Sequence, residues 1–467
     1  MTNSPKNTPA NTSIRPTSTT ASGSLSATGD KTPVDLIVSA PWIIPIVPRN
    51  AVYQDCSLVI HKGDIIDLLP EAEALRKYHT AEHTILEATV LMPGLVNAHG
   101  HAAMSLLRGY ADDFPLQQWL NDYIWPAESQ WVNGDFVADG TQLAVAEMIS
   151  SGTTCYADMY FYPDQIAQVV RHSGIRAQIA FPVLEFPTAW ARDASDYIHK
   201  GLQLYDDCKD DALIRIAFGP HAPYTVNDNT LERIATLSSE LEAPVQIHLH
   251  ETAQEVADAL ADKGSRPIAR LNQIGLLSPA TQCVHMTQIT NEDIQLLADT
   301  DAQVIHCPQS NLKLASGLCP VQKLLDADVN VALGTDGAAS NNSLDLFKEL
   351  NMAALLAKGL GKATDLPAEQ ALYMATMGGA KALGMADRIG SLEAGKAADL
   401  IAINLADVST TPLYNLHSQL VYTNVGHQVT HAWVNGVALL KDRELQTIDS
   451  VAVTARAKQW GKKISGD

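Results

Sequence analysis

Two histidines, His99 and His101, stand one residue apart at the end of the apolar run "LMPGLVNAHGH". On an extended strand, residues i and i+2 share a face, so the two imidazoles can converge on one ion. Further polar residues close other short apolar runs: His221 in "IRIAFGPHAPY", His248 and His250 in "VQIHLHE", His285 in "CVHM", His306 in "VIHCP" and Asp336 in "ALGTDG". An isolated His-x-His pair is weak evidence for a metal site. The same pair becomes strong evidence if all these runs end at one face of one sheet.

The elements between them point that way. From about residue 93 to 394, short β-type runs alternate with amphipathic helical stretches, as in "TTCYADMYF" before "PDQIAQVVRHSG" and "APVQIHLHE" before "TAQEVADALADKG". Repeated βα units imply a parallel sheet, and about eight of them imply a closed (β/α)8 barrel, whose chemistry sits at the C-terminal strand ends. Strand patterns also flank the barrel at residues 31–92 and 395–450, with turn signals at His61-Lys62-Gly63-Asp64 and at Asn435-Gly436. The expected fold is α/β: a TIM-like barrel with a small β-sandwich domain built from both chain ends. Residues 1–30 are rich in Ser, Thr, Pro and Asn and read as a disordered tail, and residues 451–467 as a C-terminal helix or tail.

Composition narrows the function. The formal charge of −20 repels phosphate backbones, which argues against nucleic-acid binding but not against a single nucleoside in a closed pocket. The six cysteines form no CxxC and no dense framework, so a reduced, cytoplasmic setting is expected. No apolar run is long enough to cross a membrane. The oligomeric state is open.

Several segments together resemble one family. "PGLVNAHGHAAMSLLRGYADD", "WPAESQW", "GPHAPY", "IHLHET", "CVHM", "SNLKLASG", "LGTDGAASNNSLDLFKE" and "GSLEAGKAADL" are similar, in order, to those of the 5'-methylthioadenosine/S-adenosylhomocysteine deaminases of the amidohydrolase superfamily. The resemblance implies that His99, His101, His248 and Asp336 hold one divalent metal ion, zinc or iron. No lysine ends a strand where a metal-bridging lysine would be needed for two. It also implies that Glu251 shuttles a proton to the purine N1, that His285 holds the attacking oxygen, and that Asp336 accepts a proton. Glu128 would bind the ribose hydroxyls and His221 the adenine ring. His250 and His306 read as packing histidines, the latter hydrogen-bonded beneath the pocket.

Family members that accept S-adenosylhomocysteine use arginines after the third strand to hold its carboxylate. Here "AQIAFPVLE" offers Phe181 instead, and Arg192 lies out of place. Phe181 and Trp190 would suit an apolar methylthio group. The expected reaction is therefore hydrolysis of 5'-methylthioadenosine to 5'-methylthioinosine and ammonia, with S-adenosylhomocysteine and adenosine as weaker candidates. The rivals are another amidohydrolase acting on a free base or triazine, and a non-catalytic barrel. The second fits poorly with an intact ligand set.

Overall fold

The computed structural model describes residues 31–466, so the tail expected over residues 1–30 lies outside the described residues. Eight parallel strands form the barrel: Leu95–Asn97, Thr153–Asp158, Arg176–Val183, Ile214–Pro220, Val245–Leu249, Thr281–His285, Gln303–His306 and Val331–Leu333, called barrel strands one to eight below. Nearly every residue in them is buried, as expected of strands packed on both faces. The intervening helices start and stop on local signals. Asn133, Asp193, Asn227 and Thr252 each accept a hydrogen bond from a backbone N–H in the first turn of the helix that follows, and Gly174 and Gly264 end helices at positive φ.

The seam between strands eight and one is closed by hydrogen bonds. The Ala98 N–H donates to the Leu333 carbonyl at 2.9 Å. Asn97 and Thr335 exchange bonds across the seam: the Thr335 N–H donates to Asn97 Oδ1 at 2.9 Å, and Asn97 Nδ2 donates to Thr335 Oγ1 at 2.8 Å. Gly334 makes this approach feasible, because a Cβ there would lie 2.9 Å from that of His99. The seam therefore carries His99 on one side and leads to Asp336 on the other.

A nine-stranded mixed sheet draws on both chain ends. Strand Thr89–Pro93 pairs antiparallel with Leu400–Asn404, joining the two halves. Leu36, Val38, Leu58 and Ile60 from the first half share one core with Leu400, Ala402 and Trp433 from the second, so the sheet folds over itself as a small sandwich. Its hairpins turn at Lys62-Gly63 (φ 52° and 84°) and Asn435-Gly436 (φ 48° and 71°), the left-handed pairs that tight hairpins require. Arg176 at the start of barrel strand three donates to both Asp399 oxygens, at 2.8 and 3.2 Å, and to Asn435 at 2.7 Å. This buried ion pair fastens the barrel to the sandwich. The helix Ser450–Ser465 docks on Gly134–Ser150 through Trp460, whose Nε1 donates to Asp139 at 2.9 Å.

Candidate active site and metal centre

Barrel geometry brings the strand-end residues together. His99 and His101 follow strand one, His248 lies in strand five, and ligand atoms of these three lie within 4.8 Å of one another. Each ring is oriented by a bond from Nδ1: His99 to Gln246 Oε1 at 2.7 Å, His101 to the Met159 carbonyl at 2.7 Å, and His248 to the His221 carbonyl at 2.8 Å. With Nδ1–H donating to oxygen, every Nε2 keeps its lone pair for the shared centre. The His99 and His248 Nε2 atoms are 3.2 Å apart, and Asp336 Oδ1 is 3.2 Å from His101 Nε2 and 3.5 Å from that of His99. Ligand atoms of a tetrahedral zinc with bonds near 2.0–2.1 Å sit about 3.3 Å apart. The donor set fits one divalent ion.

Electrostatics agree with that fit. Burial pushes His99 down, and pushes His248 well down, disfavouring their charged forms. Burial opposes charge on His101 too, but the hydrogen bond and charge of Asp336 outweigh it and raise it to about 9. Burial would raise Asp336, yet His101 and His99 hold it well below the usual carboxylate range.

Glu251 and His285 flank this cluster, His285 Nε2 lying 3.7 Å from Glu251 Oε2. Burial, then the charge of Asp336, pushes Glu251 up to about 8. His285 stacks on His248 with ring centroids 5.4 Å apart. The backbone is left-handed at His250 (φ 53°), His285 (φ 79°), Met286 (φ 47°) and Asp336 (φ 61°), a strained arrangement for residues with side chains. It occurs where the strands hand over to the loops that bear these groups.

A cavity of about 490 Å³, of the size small molecules occupy, opens from His101, His248, Glu251, His285 and Asp336. Glu128 and His221 line it as well. Glu128 accepts a hydrogen bond from the Tyr160 hydroxyl at 2.7 Å, and burial pushes its carboxyl up to about 7. Burial, then the neighbouring histidines, pushes His221 down to about 4; its Nδ1 lies 3.0 Å from Thr225 Oγ1. The far wall is apolar: Leu116, Trp119, Leu120, Trp125, Leu184 and Phe186.

Three expectations need correction. Phe181 does not reach the cavity; it packs on Phe218, and its ring fills the space beside Gly201. Strand alternation is the reason, since Pro182 and Leu184 point inward and the odd positions point to the helices. Trp190 packs on Tyr197 outside the cavity lining. His306 is buried, but its Nδ1 has no hydrogen-bond partner among the described residues. His250 faces away from the cavity, its Nδ1 donating to the Gln288 carbonyl at 2.9 Å and its Nε2 accepting from the Ile268 N–H at 3.1 Å. Arg192 is exposed and pairs with Asp196.

Several contributors escaped the sequence reading. Gln246 belongs to a chain of buried amides inside the barrel: its Nε2 donates to Gln282 Oε1 at 2.8 Å, and Gln282 bonds Gln178 in turn. Glu255 accepts from the N–H groups of His250 at 2.9 Å and Glu251 at 2.8 Å, bracing that loop. Ser310 and Ser340 both donate to Asp336 Oδ2, at 2.6 and 3.0 Å. For the amides, the available signal was one glutamine inside each of these buried strands.

Residues 90–439 match the amidohydrolase family model. The chain belongs to the amidohydrolase family and is a hydrolase acting on C–N bonds of cyclic amidines. Within that family it falls among the 5-methylthioadenosine/S-adenosylhomocysteine deaminases. It is 55% identical to the enzyme so named from Saccharophagus degradans, over 93% of this chain and 98% of that one. It is 40% identical to a 5'-deoxyadenosine deaminase of Methanothermobacter thermautotrophicus, over 82% of this chain and 90% of that one. Among solved structures, a zinc-bound adenosine deaminase from Xanthomonas campestris superposes with a TM-score of 0.93 at 47% identity, covering 94% of this chain and all of that one.

Proposed function

We propose that this protein deaminates an adenine nucleoside and that 5'-methylthioadenosine is its preferred substrate, giving 5'-methylthioinosine and ammonia. The observation that carries this reading is the two-ended cavity. One end holds the metal-ligand set with Glu251 and His285; the other is apolar, and among the described residues no lysine or arginine lines it. A carboxylate tail would be buried there without a cation, at substantial cost. Deaminase names among the relatives support the reaction class.

His99, His101, His248 and Asp336 would hold a divalent ion, which when bound would lower the pKa of water from 15.7 to about 7 and so make a nucleophile available at neutral pH. The residues do the rest. Glu128 binds the ribose diol, and its protonated form at neutral pH can also donate. His221, neutral, meets the adenine ring. Glu251, whose carboxyl is pushed up by burial and by the charge of Asp336, gives a proton to N1, which leaves C6 open to attack by water. His285 holds the attacking oxygen, and Asp336 takes a proton from it. Return of that proton to the exocyclic nitrogen breaks the C6–N bond and releases ammonia, while the proton left on the attacking oxygen passes to Glu251 as the C6 carbonyl forms. The six free, buried cysteines accord with action in a reducing cytoplasm.

The test is steady-state kcat/KM for 5'-methylthioadenosine, 5'-deoxyadenosine, adenosine and S-adenosylhomocysteine on zinc-reconstituted enzyme. Methylthioadenosine is expected to lead. A strong preference for S-adenosylhomocysteine overturns the specificity reading, and release of ammonia only from free bases or triazines overturns the nucleoside reading.

A further inference from the structure

The short segment after barrel strand seven touches three groups of the proposed machinery within seven residues. Ser310 donates to Asp336 Oδ2 at 2.6 Å, Ser316 donates to Glu251 Oε1 at 3.2 Å, and Asn311 Oδ1 lies 2.8 Å from His285 Nδ1. The serine contacts are the weaker case, because Ser340 also serves Asp336 and Glu251 is braced through its backbone by Glu255. Asn311 is the sole side-chain hydrogen-bond partner of His285 among the described residues.

We propose that Asn311 is a positioning residue that fixes the ring and tautomer of His285. With Nδ1–H donating to the Asn311 carbonyl, the neutral ring presents an Nε2 lone pair toward Glu251 and the cavity. The rest of the Asn311 amide argues for this role. Asn311 is 1% exposed, and its Nδ2 is buried with no partner among the described residues. An orphan amide donor weakens the folded state, so an aliphatic residue would suit packing alone better. The carbonyl on His285 is what the asparagine supplies. His285 needs such a tether because its own backbone is left-handed and the following Met286 is too. Stacking on His248 limits the tilt of the ring but leaves its rotation in the plane unfixed.

This inference rests on the proposed role of His285. The experiment compares Asn311→Leu and Asn311→Asp, each in wild-type and His285→Gln backgrounds, on zinc-loaded enzyme with methylthioadenosine. Bound zinc and melting temperature are measured for every protein. Asn311→Leu is expected to lower kcat by about 10–100-fold, the usual cost of losing a partner behind a site histidine, while KM and zinc content hold. Asn311→Asp, which keeps the acceptor, should recover most of that loss. In the His285→Gln background, Asn311→Leu should add less than about twofold, because the residue acts through the ring. If Asn311→Leu does not fold, Asn311→Ala carries the same comparison. An unchanged kcat in Asn311→Leu beside a crippled His285→Gln overturns the positioning role alone. So does an equal drop in both backgrounds. A fully active His285→Gln overturns the role of His285 and the positioning role with it.

Discussion

At the metal end of the cavity, the groups that would do chemistry have a second partner behind them. His99 rests on Gln246, His101 on the Met159 carbonyl, His285 on Asn311, and Asp336 on two serines. At the far end, Leu116, Leu120, Trp125 and Phe186 form a wall of packing surfaces with no charge among them. The first end is held by directional bonds and tolerates little displacement. The second recognises by shape and loses only small amounts of energy per group removed. Reaction class and substrate choice are thus written in different physical terms, and they should fail by different amounts.

The largest effect is expected from Glu251→Gln, which keeps the shape but cannot donate and recover a proton. Its zinc content should match wild type while kcat falls by about 10²–10⁴-fold; loss of metal along with activity would erase the distinction between holding and reacting. Next is Gln246→Leu, which removes the acceptor behind His99 and strands its partner amides. Zinc affinity, followed by chelator competition, should fall by about 10–100-fold. At the apolar end, Phe186→Ala should lower kcat/KM for methylthioadenosine by about tenfold, with a smaller change for adenosine; equal losses would show that the wall does not read the 5' substituent.

The smallest effect concerns His306, the histidine near the metal end whose Nδ1 has no partner among the described residues. Burial, then the charge of His285, pushes it down to about 3. In the unfolded chain it titrates near 6.5. Below that pH the unfolded state takes up a proton that the folded state refuses. Its contribution is therefore complete above about pH 6.5 and is lost as pH falls toward 3, at about 1.4 kcal/mol per pH unit. His306→Leu should flatten this slope in denaturant titrations at about pH 7 and pH 5.5.

The strand-end candidates were legible because their signal is local, while the choice of four ligands among them came from the family resemblance. His-x-His on a strand, and a polar residue closing each apolar run, need only the period of two and the barrel rule. The hairpins at Lys62-Gly63 and Asn435-Gly436 were readable for the same reason. The supports were not. His99 and Gln246 lie 147 residues apart, and His285 and Asn311 sit on different strand-to-loop junctions, so nothing in either segment announces the pairing. Phe181 shows the limit from the other side. The segment was right, but a shift of one residue reverses the face, and Pro182 rather than Phe181 meets the cavity.

The left-handed backbone at His250, His285 and Asp336 has a consequence for anyone wishing to transplant this chemistry. Side chains copied onto a regular (β/α)8 scaffold would leave their strands along the ordinary extended path and point elsewhere. The bends travel with the residues, and so do the bonds that hold them bent. A graft would have to import the strand-to-loop junctions whole, with Glu255 and Asn311 included, and find elsewhere in its host the stability those junctions give up.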